Sequence, residues 1–183
     1  MIRKLSFEEI HRRRPDAVEL TCLLRTPVAA LVDNVRSLHN VGSIFRTGDA
    51  VRLEHLYLCG ITGAPPRDEI RKTSLGAEET VPWSYHPDAE AVISDLKRRG
   101  HQIVALEHTD ASVDFRRPIY RFPVCIIIGN EYSGVQDRLI ELCDAAVEIP
   151  MLGVKQSLNV SVAFGVMVYE LARQWEDEVK KRC

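Results

Sequence analysis

The chain reads as an α/β domain, a mainly parallel sheet with helices on both faces. Two observations predict this. Short apolar runs rich in branched residues recur at 28–35, 55–61, 79–85, 102–108, 124–130 and 145–151. Between most of them the apolar residues switch to a helical period. Strands that alternate with helices are joined by crossovers, which make the sheet parallel and cover both of its faces.

Taken in order, "VAALVDNV" (28–35) leads into a polar loop, after which Val41, Ile44, Phe45, Gly48 and Val51 share one helical face; a helix is expected from near Asn40. "HLYLCGI" (55–61) is the next strand, and the Pro-rich "ITGAPPRDE" (61–69) reads as a surface loop near the ligand face rather than a domain boundary. After "ETVPWSY" (79–85), Ala91, Ile93 and Leu96 form a helix stopped by Gly100, which delivers the chain to "QIVALEH" (102–108). "VCIIIGN" (124–130) is followed by a helical period at Val135, Leu139 and Leu142, and "AAVEIPM" (145–151) by a last helix over roughly 158–178. That helix is apolar almost all round until Ala172 and charged afterwards, the pattern of a helix buried first and exposed later. No repeat or Gly/Ser linker divides the chain, so a single domain over 28–183 is expected, preceded by a helical extension over 1–27.

Composition narrows the function classes. The formal net charge of −2 does not advertise a polyanion partner, although Lys and Arg cluster at 12–14, 71–72, 97–99, 116–117 and 180–182. The five cysteines form no C-x-x-C pair, and three lie within or beside apolar runs, which points to a reduced, cytoplasmic protein. The N-terminus "MIRKLSFEEIHRRRPD" has no apolar h-region, and the longest apolar stretch holds Asn159, Ser161 and Glu170; neither a signal peptide nor a membrane span is expected. There is no P-loop, no glycine-rich Rossmann fingerprint and no His/Cys metal spacing.

In an open α/β sheet, ligands bind beyond the carboxyl ends of the strands, so the loops that follow them are where chemistry is expected. Three such loops stand out. In "DNVRSLHNVGSIFRTGDA" (33–50), Arg46 points off the apolar face one turn above Gly42, which leaves space beside the guanidinium. A helix N-terminus with an arginine nearby suits a phosphate or another anion; the plainer alternative is an ordinary surface arginine. His39 is at most a surface or rim residue. In "CIIIGNEYSG" (125–134), Gly129 permits close backbone approach, Glu131 can orient a donor or accept a proton, and Ser133 with Gln136 offers an S-x-x-Q capping box. The alternative is a plain strand-to-helix turn. In "IPMLGVKQSLNVSVAFGV" (149–166), Ser157 is the expected N-cap and Asn159 enters an apolar helix, where an unpartnered amide would cost about 1 to 3 kcal/mol. Asn159 therefore needs a partner, either in the core or in a site.

These segments, in this order, resemble the three motifs of the TrmH (SpoU) family of SPOUT RNA methyltransferases. The first is carried by Asn34, Arg36, Asn40, Gly42 and "IFRT" (44–47), the second by Gly129, Glu131 and Gly134 followed by "IPM" (149–151), and the third by "SLNVSVA" (157–163). With the intervening strands the resemblance spans roughly 28–173. Two departures are Ser37, where the family often has Asp, and Arg52, where it often has Gly.

The resemblance implies a C-terminal deep trefoil knot and a homodimer whose catalytic site lies at the subunit interface, with the first-motif and final helices supplying that interface. It implies transfer of a methyl group from S-adenosylmethionine to a ribose 2′-hydroxyl of RNA. Carried over by position, the catalytic set is Arg46, Asn40, Glu131, Ser157 and Asn159. The cofactor loops contain Leu106, Gly129, Ile149, Met151 and Leu158, which would hold S-adenosylmethionine largely through backbone groups. With only about 27 residues before the first strand, the chain is similar to compact members, many of which act on tRNA. An rRNA substrate, a non-catalytic RNA-binding module of the same fold, and a flavodoxin-like nucleotide-binding protein are the alternatives.

Overall fold

The computed structural model describes residues 2–15 and 17–182. Seven strands form one sheet in the order β3-β2-β1-β6-β4-β7-β5. They are β1 (Thr26–Asp33), β2 (Leu53–Cys59), β3 (Trp83–His86), β4 (Gln102–Leu106), β5 (Val113–Asp114), β6 (Val124–Ile128) and β7 (Ala145–Glu148). Each ladder between them is parallel. The chain runs outward from β1 through β2 to β3, crosses to β4, and then inserts β6 between β1 and β4. The strand order thus reverses at β1 and β6, and the carboxyl ends of β1, β6, β4 and β7 lie side by side.

Alternation along β1 explains the two layers. Val28, Ala30 and Val32 join Ile44 and Phe45 of α3 (Leu38–Ala50) and Phe164, Met167 and Leu171 of α7 (Val160–Arg182) in one core. Ala29 and Leu31 face the other way, onto Val92, Ile93 and Leu96 of α5 (Ala89–Arg98) and Leu139 of α6 (Asp137–Ile140). Successive Cβ atoms of a strand point to opposite faces, so a run apolar at every position requires cover on both sides. Cys59, Cys125 and Cys143 belong to or pack against this second layer. Burial pushes the Cys59 thiol up to about 12 and that of Cys143 up to about 11, and raises that of Cys125 as well, so these act as packing groups. Cys22 is exposed, and Cys183 lies outside the described residues.

Several boundaries differ from the sequence expectations, each for a local reason. α3 begins at Leu38, two residues before Asn40, because the Ser37 hydroxyl accepts the Asn40 N–H and caps it. The Pro-rich loop ends earlier than expected, in α4 (Asp68–Ser74). The run 79–85 is strand only from Trp83, because Ala77–Glu79 form a 3-10 turn. β5 has two residues, too few to leave an apolar run. The S-x-x-Q box does not form: Ser133 N–H and Tyr132 N–H both donate to Asn130 Oδ1, and Gln136 reaches back to Asp33 at 2.7 Å, leaving α6 a single turn.

The last helix differs too. It starts at Val160, and Asn159 rather than Ser157 caps it: Asn159 Oδ1 accepts from Ser161 N–H at 3.0 Å and Ser161 Oγ at 2.7 Å. Nor is its first half buried all round, for Val162, Val166 and Tyr169 form an exposed stripe opposite Phe164 and Met167. In the N-terminal segment, α1 (Phe7–Arg12) carries a Ser6/Glu9 capping box, and α2 (Ala17–Cys22) follows. Arg52 has a left-handed backbone, φ 51°, where glycine would be unstrained. Its side chain donates to the carbonyls of Leu20 and Leu23 and so ties this segment to the domain. Among the described residues no helix is long and apolar enough to cross a membrane.

Candidate active site

The loops that leave β1, β6 and β7 are stitched together by side-chain amides. At the end of β1, Asn34 takes a left-handed backbone, φ 55°. Its Oδ1 accepts from Ile61 N–H at 3.0 Å, its Nδ2 donates to the buried Asp33, and its carbonyl accepts from Asn130 Nδ2 at 2.8 Å. Thr62, also buried, bridges Val35 N–H and the Val32 carbonyl. These contacts fix the entry to α3. Asn130 and Thr62 were not singled out from the sequence, and Asn34 and Gln136 were noted only for a motif and a capping box; their common signal was the cluster of short polar side chains at strand ends, which fits a turn equally well.

Beyond this frame, Asn40 meets Glu131 and Asn159, which lie 91 and 119 residues along the chain from it. Asn40 Nδ2 donates to Glu131 Oε1 at 3.1 Å, and Asn159 Nδ2 donates to Asn40 Oδ1 at 3.1 Å. Glu131 also accepts from Arg36 N–H at 3.2 Å and Ser37 N–H at 3.1 Å. The anion at the start of α3 is therefore the protein's own carboxylate, not an external phosphate. Burial opposes ionisation of Glu131, but backbone N–H groups of Glu131, Arg36 and Ser37 and the Asn40 amide outweigh it and hold the carboxyl below its ordinary value. Glu131 is thus a fixed acceptor. Asn159 is exposed just before α7 and not buried within it, so burial does not demand the partner expected from the sequence; it nevertheless donates to Asn40, and both ends of the Asn40 amide are engaged.

A cleft of about 250 Å³ opens beside this network. Leu106, Gly129, Ile149, Met151 and Leu158 all line it, as do Glu131, Ser157 and Asn159. Its walls come from the loops after β4, β6 and β7 and from the start of α7. Gly129 is required by the loop's own fold, since a Cβ there would run into the backbone of Gly134 and Val135. Glu107, just after β4, lines the cleft and ties the loops after β4 and β6 together, accepting from His108 N–H at 2.9 Å and Val135 N–H at 2.8 Å.

Arg46 lies elsewhere. It is exposed on α3, outside the cleft lining, and no side-chain hydrogen bond engages it among the described residues. Asn40 does not hold it. Gly42 does not make room for it either: it is buried against α4, where a Cβ would collide with Thr73 Oγ1 and the Ile70 carbonyl. That glycine lets α3 and α4 approach closely. His39 is exposed, and Ser157 is exposed at the cleft with no side-chain bond to the network among the described residues.

A parallel sheet whose order reverses at β1 and β6, with a cleft walled by the loops after β4, β6 and β7 and joined to the first-motif helix by the Asn40–Glu131–Asn159 bonds, can be compared with known proteins. The model of the SpoU rRNA Methylase family matches residues 27–169. The chain belongs to the SpoU methylase family. The Thermus thermophilus tRNA (guanosine(18)-2′-O)-methyltransferase is 36% identical over 173 residues, 94% of this chain and 82% of that protein. Among solved structures, the Aquifex aeolicus TrmH/SpoU tRNA modifying enzyme superposes with a TM-score of 0.77 at 35% identity, covering 84% of this chain and 78% of that one. An AdoMet-bound rRNA methyltransferase from Sinorhizobium meliloti gives 0.76 at 31% identity, covering 82% and 57%. Within this SpoU methylase, the matched segment contains the whole amide network and the cleft.

Proposed function

We propose that the protein transfers a methyl group from S-adenosylmethionine to the 2′-hydroxyl of a ribose in tRNA. The observation that carries the reading is the Asn40–Glu131–Asn159 network bordering the cleft, in a chain similar over 94% of its length to a tRNA 2′-O-methyltransferase. The cleft suits the cofactor chemically. Glu107, Glu131 and Glu148 line it together with Leu106, Ile149 and Leu158. Carboxylates beside an apolar wall fit a cationic sulfonium carried on a flat nucleoside. Leu106, Gly129, Ile149, Met151 and Leu158 are assigned to this cofactor, chiefly through their backbone groups.

When bound, S-adenosylmethionine supplies an electrophilic methyl group. The ribose hydroxyl is a poor nucleophile at neutral pH, so the chain must position it and dispose of its proton. Arg46, which lies outside the cleft of its own chain, is assigned across the subunit interface of a homodimer to orient the hydroxyl and the neighbouring phosphate with its fork of N–H donors. A guanidinium stays protonated, so Arg46 is not the base, and the hydroxyl proton is relayed past the neighbouring phosphate to water. Asn40, Glu131 and Asn159 hold the loops in register, and Ser157 offers a hydroxyl from the cleft wall.

On the same reading the segment after β7 is threaded as a deep trefoil knot. The insertion of β6 between β1 and β4, and the meeting of the loops after β4, β6 and β7, support this. The protein works as a homodimer with the site at the interface. The exposed stripe Val162, Val166 and Tyr169 on α7 supports that arrangement, since such a stripe is self-complementary about a twofold axis. Residues 28–183 form the methyltransferase domain, 1–27 its extension, and the protein meets its tRNA in the cytoplasm.

Two measurements test the reading. Mapping of 2′-O-methyl groups in total RNA, with and without the protein, is expected to show one tRNA ribose gained; a gain only in rRNA, or none, overturns it. Arg46→Ala is expected to bind S-adenosylmethionine as the wild type does while losing transfer by about a hundredfold or more. Turnover like that of the wild type removes Arg46 from the mechanism.

A further inference from the structure

His108 begins the loop after β4 and stands between two acceptors. Its Nδ1 lies 3.2 Å from Glu148 Oε2, and its Nε2 lies 3.1 Å from the carbonyl oxygen of Gln156. A neutral imidazole carries one N–H and can donate to only one of them, leaving a lone pair facing the other; the imidazolium donates to both. Glu148 is also held by Ser112 Oγ at 2.6 Å, so the acceptor on the β7 side is anchored. Gln156 is not: it belongs to the segment between β7 and α7, where Leu152 and Val154 are fully exposed and where Met151, Ser157 and Leu158 line the cleft.

We propose that His108, set between Glu148 and the Gln156 carbonyl, is a positioning residue that latches the 150–158 segment over the cleft and so sets how tightly the cleft holds its ligand. This rests on the cofactor reading given above and adds a residue to it. The charged group against the ring is Glu148 on β7, beside which Asp114 of β5 lies in register and pairs with Arg116, while the Glu107 carboxylate at the end of β4 accepts the His108 backbone N–H. The ring side chain is 48% exposed, so protons exchange freely and substitution does not threaten the core.

Two readouts test the latch, one of them without cofactor. Amide exchange of residues 152–158 in the cofactor-free protein is expected to be faster in His108→Ala than in the wild type, and His108→Gln, which keeps a side-chain donor, is expected to recover part of the protection. Titration with S-adenosylmethionine is expected to give affinity weaker by about three- to fivefold in His108→Ala, the scale of one exposed charged contact. If exchange of the segment is the same in His108→Ala as in the wild type, or if the glutamine variant recovers nothing, the latch is refuted. If exchange behaves as expected but no S-adenosylmethionine binds to the wild type, the latch stands and the cofactor reading falls.

Discussion

Glu131→Gln probes the amide network most directly. The wild-type carboxylate accepts from Ser37 N–H and Asn40 Nδ2 on one oxygen and from Arg36 N–H on the other. Glutamine keeps a single acceptor oxygen. If that oxygen faces Ser37 and Asn40, its NH₂ confronts the Arg36 N–H, and donor meets donor. One bond is lost and two fall from charge-assisted to neutral. With bonds to a charged group worth about 1.5 to 3 kcal/mol and neutral ones about 0.5 to 1.5, the loss is roughly 5 kcal/mol at full burial. Glu131 is half-buried, and solvent screening reduces this to about 2 kcal/mol, or about 4 to 8 °C in Tm for a chain of this size.

Because the folded carboxyl is held below its ordinary value of 4.5, its contribution is fully present above about that pH and is lost as pH falls through the lower folded value. Urea unfolding of both proteins at pH 7 and towards pH 3 measures this. The gap between them is expected to shrink on acidification. A gap under about 0.5 kcal/mol at pH 7, or one that does not shrink, would refute the claim that these three donors depend on the ionised carboxylate.

Gly42→Ala is expected to destabilise the fold by about 1 to 3 kcal/mol, because the methyl group meets Thr73 and the Ile70 carbonyl across the α3–α4 contact. Thermal unfolding at wild-type stability would show that the two helices can separate without cost. Asn159→Ala removes both the cap of α7 and the bond to Asn40, so calorimetry is expected to give a loss of about 1 kcal/mol in stability together with weaker S-adenosylmethionine binding. A loss of stability alone would reduce Asn159 to a cap.

Much of the fold was legible because β1, β2, β4 and β6 carry apolar side chains on both faces, and only a parallel sheet covered twice satisfies such strands. The short elements were not. β5 and α6 span two and four residues, too few for a period to register. The three motif loops were visible as segments, but the purpose of individual residues was misjudged wherever it depended on what lies across from them. Gly42 serves α4 and not Arg46, Asn159 rather than Ser157 starts α7, and the start of α3 is already satisfied by Glu131.

The sequence by itself determined the fold class and the family, since hydrophobic period and motif spacing are properties of the chain read in one dimension. It also placed Leu106, Gly129, Ile149, Met151 and Leu158 in loops at strand ends. Only the tertiary structure decided that these five line one cleft, that Asn40, Glu131 and Asn159 form one hydrogen-bonded unit, and that His108 faces two acceptors. Each of those facts is a distance between atoms far apart along the chain, and a hydrogen bond depends on that distance and on direction, which only the folded backbone sets.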